Sequence, residues 1–163
     1  MEFIRNFPFF SIMIAMFSAV ICSVLKGRAA RILACCATCA ITVLSAVTLV
    51  YTCVAELDFV YWMGHFPAPW GNEIRAGQTE ATTATVFAVS MFLILVGGAR
   101  YTKKSIDSSK EHYFYLLSCL LMGALLALIY TNDIFTAYVF IEINTIAACG
   151  FIMIRRTGKA VAS

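Results

Sequence analysis

Charge is what this sequence has least of. Only 13% of its 163 residues are Asp, Glu, Lys or Arg, while 61% are hydrophobic and the mean hydropathy is +0.86. Water-soluble domains carry about a quarter charged residues, so a soluble globular fold is excluded. Histidine is equally scarce: only His65 and His112 occur. Seven cysteines invite a metal or disulfide reading. The densest group, Cys35-Cys36-Ala37-Thr38-Cys39, lies inside an apolar stretch with no histidine nearby. Successive helical residues point in different directions, so Cys35 and Cys36 do not converge on one ion. A small-residue packing role is expected for them and for Cys22, Cys53, Cys119 and Cys149. The chain also lacks a phosphate loop, a nucleophile paired with a base, a cofactor fingerprint, a nucleic-acid surface, an internal repeat and a flexible linker. No metal, no cofactor and no nucleic-acid partner are expected, and no catalytic centre belongs to the chain itself.

What is present is a series of long apolar runs, too many and too evenly spread for a signal peptide ahead of a soluble body. They predict an all-α polytopic membrane bundle, residues 1–163 forming one integral membrane domain. Five helices are expected, over about Phe9–Leu25, Ala30–Val54, Ala81–Val96, Tyr113–Tyr130 and Asp133–Ile154. Gly97-Gly98 is expected near the end of the third. The connections alternate in charge. The first carries Lys26, Arg28 and Arg31, and the third Arg100, Lys103, Lys104 and Lys110 against Asp107 and Glu111. The tail carries Arg155, Arg156 and Lys159. The second has Glu56, Asp58, Glu73, Arg75 and Glu80, and the fourth only Asp133. Basic connections mark the cytoplasmic side, which places the N-terminus outside and the C-terminus inside. The long second connection contains Pro67, Pro69, Trp62 and Trp70 and reads as an interfacial loop.

One residue breaks the apolar pattern in the middle of a span. Glu142 lies about 13 Å of helix rise from Asp133 and about 20 Å from Arg155, too far for so short a side chain to reach either interface. A carboxylate there is costly unless it is protonated, paired or solvated, and such residues are functional candidates by default. Tyr138, Glu142, Thr145 and Cys149 follow spacings of four, three and four, so they share one helix face, with Phe135 extending it outward. Hydroxyls of Tyr138 and Thr145, one turn to either side, are candidates to relay a proton to Glu142. The bland alternative is a static bond from Glu142 to a neighbouring helix. Asn144 points elsewhere and is a candidate for an interhelical hydrogen bond; Asp133 sits where a carboxylate caps a helix. Both are secondary pathway candidates. Cys119, Gly123 and Ala127, at intervals of four, form a stripe that admits a close neighbour, and Ala147, Ala148 and Gly150 offer the same on the fifth helix.

The run Gly123-Ala-Leu-Leu-Ala-Leu-Ile-Tyr-Thr-Asn-Asp133-Ile-Phe135-Thr-Ala-Tyr138-Val-Phe140-Ile-Glu142 resembles the antiporter-like, proton-conducting membrane subunits of respiratory complex I, Mrp cation/proton antiporters and membrane-bound hydrogenases. The loop Pro67-Ala68-Pro69-Trp70-Gly71 is similar to that of the D-type members of the Mrp antiporters. The resemblance covers the second half of the chain well and the first half by topology. It departs around Gly77, where the family has an acidic residue. It implies that Glu142 is the proton-channel glutamate, which in the family pairs with a lysine on a later helix. Family members have about fourteen helices with two inverted five-helix repeats, and the lysine helix lies beyond these 163 residues. The implied function is a small membrane subunit of an ion-translocating complex, supplying the N-terminal helices and channel glutamate of a split antiporter-like module. Its implied partners are other membrane subunits, one supplying a lysine near Glu142, in a prokaryotic cytoplasmic membrane. The alternatives are a non-catalytic scaffold subunit of such a complex and, less favoured, an oligomeric transporter.

Overall fold

A computed structural model describes residues 4–55, 59–62, 73–106 and 110–156. After a short 3-10 turn at Ile4–Asn6 come helices α1 (Phe7–Val24) and α2 (Arg28–Ala55). Strands β1 (Phe59–Trp62) and β2 (Glu73–Ala76) follow, then α3 (Gln78–Ser105), α4 (Glu111–Tyr130) and α5 (Ile134–Arg156). Among the described residues five helices are long and apolar enough to cross a membrane, as expected. The third is longer than expected. Gly97 and Gly98 lie inside α3, and Arg100, Lys103 and Lys104 ride on its last turns rather than on a loop. A Cβ at either glycine would meet nothing within 4 Å, so neither marks a close approach. Their cost to helix propensity, about 1 kcal/mol each, is too small to end a helix this long.

Helix α4 is the hub. Half of the residues in its span are buried, against 6% for α5. It packs against α1, α2, α3 and α5, while α2 also packs against α1 and α3. The small-residue stripe explains how closely α1 approaches. A Cβ on Gly123 would lie 3.1 Å from the Ala15 Cβ and 3.3 Å from Met16, so glycine lets α1 seat against α4. Ala15, Ala19, Ala30, Ala34, Ala84, Ala88, Ala124 and Ala127 are buried at the same seams. The turn from α1 to α2 is short, and Gly27 adopts φ +58°, a conformation other residues enter at a cost.

The paired strands went unrecognised in the sequence. They run antiparallel, from Phe59 opposite Ala76 to Trp62 opposite Glu73. Phe59, Ile74 and Ala76 are buried over the ends of the helices, and the Phe59 ring meets Tyr51 edge-on at 6.2 Å. The Pro67–Gly71 loop expected to hug the membrane surface lies outside the described residues.

The cysteine expectation holds for part of the set. Cys22 and Cys119 are buried in the core and Cys35 is half-buried, whereas Cys36, Cys39, Cys53 and Cys149 are exposed. All seven are free thiols.

Candidate functional site

The site is built from the entry to α5 downward. Strand β2 grips the turn before that helix. Ile74 forms a β-bridge with Thr131, the Asn132 N–H donates to the Glu73 carbonyl at 2.9 Å, and the Asn132 amide donates to the Glu73 carboxylate at 2.7 Å. Asp133 then caps α5: its Oδ2 accepts from the Thr136 N–H at 3.0 Å and from the Thr136 hydroxyl at 2.7 Å. These bonds hold its carboxyl below the usual aspartate range. Capping is therefore the role the geometry gives Asp133.

Contacts with α4 fix the rotation of α5. Ala147 is fully buried, a Cβ on Gly150 would fall 2.8 Å from a Leu117 methyl, and Phe151 meets Phe114 edge-on at 5.5 Å. Ala147 follows Glu142 by five residues, about 140° around the helix. Glu142 therefore faces away from α4, and Tyr138, Thr145 and Cys149 share its exposed side, with Tyr138 61% exposed and Phe135 73%. The predicted stripe is present, and it lies on the uncovered surface of the five-helix unit.

The two hydroxyls of that stripe differ. Tyr138 lies one turn before Glu142 on the same face, so its hydroxyl is a neighbour of the Glu142 carboxylate. Thr145 donates instead to the backbone carbonyl of Glu142 at 2.8 Å, so its proton is committed to the helix. Among the described residues no cation pairs with Glu142, and no group of three His, Cys, Asp or Glu is placed to hold a metal. Asn144 occupies another sector. It lines a groove of about 710 Å³ between α3, α4 and α5, and its Oδ1 is sealed from solvent without a partner. Of the residues singled out in the sequence, the fold thus brings Tyr138 to Glu142, and it separates Thr145's proton, Asn144 and Asp133 from that carboxylate.

A second charged cluster was missed. Arg31, in the first turn of α2, donates to Glu111 Oε1 at 2.6 Å and to the Tyr115 hydroxyl at 3.0 Å. The carboxylate is 9% exposed, the guanidinium 18%, and Tyr115 is fully buried. The alternation of charge had already put connections one and three on one side of the membrane. Pairing opposite charges across them was the available signal.

Five apolar helices, with Glu142 on the open face of the last, define a polytopic membrane helix bundle. No family model matches the chain. It is 30% identical over 107 residues to NADH-quinone oxidoreductase subunit N of Desulforudis audaxviator (strain MP104C), a match spanning 66% of this chain and 21% of that protein. Its fold matches a chain of the membrane-bound sulfane sulfur reductase, an archaeal respiratory membrane complex. The TM-score is 0.73 at 22% identity, over 91% of this chain and 29% of that one. The chain is thus related to the antiporter-like membrane subunits, as the Asp133–Glu142 motif implied. It spans roughly a fifth of its sequence relative and under a third of the matched chain.

Proposed function

We propose that the chain is a membrane subunit of an ion-translocating complex and supplies the N-terminal helices and the channel carboxylate of a split antiporter-like module. The observation that carries this reading is the position of Glu142: mid-span, beside the Tyr138 hydroxyl, on the face of α5 that no other helix covers. A carboxylate at that depth is costly in lipid, and in membrane proteins such groups face a bundle interior or a hydrated path. A neighbouring subunit therefore covers the face and presents a cation, a lysine by the family resemblance. Proton transfer then runs between water, the Tyr138 hydroxyl and Glu142, with the neighbouring cation favouring the charged form. The basic ends of α1–α2, α3–α4 and α5 favour an N-outside, C-inside orientation, in a prokaryotic cytoplasmic membrane.

The test is a transmembrane pH change in vesicles, driven by the complex's own substrate. Glu142→Gln keeps size and hydrogen bonding and removes titration. Assembled Glu142→Gln complexes are expected to pump at least about a hundredfold more slowly, in line with the usual worth of an acid–base group. Glu142→Asp is expected to retain part of the rate, and Tyr138→Phe most of it, since water replaces one hydroxyl. Wild-type pumping by assembled Glu142→Gln complexes would leave Glu142 as a static contact and the chain as a scaffold.

A further inference from the structure

We infer that the turn between α1 and α2 is a binding site for an anionic phospholipid, which sets its phosphate against Lys26 and Arg28 and lays its acyl chains along the open faces of the two helices. The inference rests on the chain spanning a membrane, and not on any role for Glu142 in transport.

The first span ends at Val24 and the second begins at Arg28, so the turn lies at headgroup depth. It carries charge that the protein leaves unpaired. Lys26 and Arg28 are exposed on either side of Gly27, whose φ of +58° keeps the turn short. The nearby Arg31 is spent on Glu111 at 2.6 Å, and that bond sets the start of α4 beside the start of α2. Lys110, the residue just before α4, therefore adds a third cation to the same end of the bundle. Among the described residues none of Lys26, Arg28 and Lys110 joins an ion pair. Charge alone would suit a soluble phosphate as well as a lipid. The surface beneath the charge decides. On α1, Phe17, Val20, Ile21 and Val24 are exposed at helical spacing, and Val24, 80% exposed, ends the column two residues before Lys26. On α2, Arg28 and Ile32 are exposed four residues apart on one face, with Cys36 a turn further on. Cations at the end of a span, above apolar side chains that run into it, match a phospholipid from headgroup to tail. A free anion would leave both columns uncovered.

The experiment returns the intact complex to lipid discs containing phosphatidylglycerol and phosphatidylcholine in equal amounts. Each lipid in turn carries a photoreactive group high on its acyl chain, and adducts on residues 17–32 are mapped by mass spectrometry. Phosphatidylglycerol adducts are expected to exceed phosphatidylcholine adducts by roughly five- to thirtyfold at low salt, about fivefold for each cation engaged. Lys26→Gln/Arg28→Gln is expected to bring the ratio near parity, whereas Lys26→Arg/Arg28→Lys retains it. Both residues are exposed and unpaired, so the double variant keeps its fold, and its recovery in the assembled complex checks this. Lys103→Gln/Lys104→Gln removes the same charge from the last turns of α3 and is expected to leave most of the preference. Equal labelling by the two lipids, an unchanged ratio in Lys26→Gln/Arg28→Gln or an equal fall in Lys103→Gln/Lys104→Gln would each overturn the inference. A preference abolished by millimolar inorganic phosphate at constant ionic strength would assign the cations to a soluble anion and overturn it too. So would the absence of any lipid adduct on residues 17–32, which would mean that protein covers this face.

Discussion

Removing the guanidinium of Arg31 is expected to be the most damaging single change at the α2–α4 seam. In the native fold its Nη2 lies 2.6 Å from Glu111 Oε1 and its Nε bonds the Tyr115 hydroxyl at 3.0 Å, with the two charged side chains 18% and 9% exposed. Arg31→Met fills similar space and leaves the Glu111 carboxylate with the Tyr115 hydroxyl at 3.5 Å. Breaking a fully buried pair from one side costs about 3–5 kcal/mol. Partial exposure of Arg31 lets some water in, which lowers the expectation to about 2–4 kcal/mol. Glu111→Gln is expected to cost less, about 1–2 kcal/mol, because the longer arginine side chain can turn its charge toward water. The double variant Arg31→Met/Glu111→Gln removes both charges and is expected to cost no more than Arg31→Met alone, so the two losses do not add. The assay is equilibrium unfolding of the four proteins in mixed micelles, read as a double-mutant cycle. Simple additivity, with the double variant as damaged as the two single losses summed, would refute the claim that the pair is a buried, mutually dependent unit.

Three further outcomes follow from other parts of the molecule. Gly123→Leu is expected to destabilise by about 1–3 kcal/mol, because its side chain must enter the space held by Ala15 and Met16, while Gly123→Ala is expected to be milder; both are measurable in the same micelle assay. Asp133→Ala is expected to lower stability at neutral pH. Folding depresses the Asp133 pKa, so its contribution is present above the ordinary aspartate value of about 3.9 and is lost as pH falls through the folded one. The gap between Asp133→Ala and wild type should therefore close below about pH 4, and a gap independent of pH would exclude the carboxylate cap. For orientation, cysteine placed at Lys26, in the exposed turn between α1 and α2, or at Lys103 is expected to be protected from impermeant reagents added outside intact cells. Labelling of both positions from outside would invert the proposed topology.

Helix number and approximate spans were legible because each membrane helix must satisfy its backbone internally, which imposes long apolar runs on the sequence. The Gly123 stripe was legible for a similar reason: spacing of four maps directly onto a helix face. The β1–β2 pair was not, since Phe59–Trp62 and Glu73–Ala76 are short and carry no two-residue turn between them. The ends of α3 were misplaced because lysine and arginine were read as loop, although both are good helix formers that extend a span into the interface. At the candidate site, periodicity correctly grouped Tyr138, Glu142, Thr145 and Cys149, but it carries no information on which way that face turns. The rotation is set by Ala147, Gly150 and Phe151 against Leu117 and Phe114, contacts whose outcome depends on shape rather than polarity. Nor does spacing reveal that the Thr145 hydroxyl is spent on a carbonyl of its own helix.

The outer surface of the chain divides by chemistry into two regions. On α1, Phe17, Val20, Ile21 and Val24 are exposed; on α2, so are Ile32, Val43, Val47 and Val50. Lipid tails satisfy such side chains completely, and nothing about these faces demands a protein neighbour. The exposed side of α5 is different. It holds a carboxylate, whose insertion at mid-bilayer costs about 2.5–3.5 kcal/mol on translocon scales for comparable charges. The same helix has the smallest buried share of the five. A peripheral helix with a carboxylate on its open face is a poor lipid-facing element. On the proposed function, α5 is the side expected to meet the rest of a larger membrane assembly, with α1 and α2 left to face the bilayer.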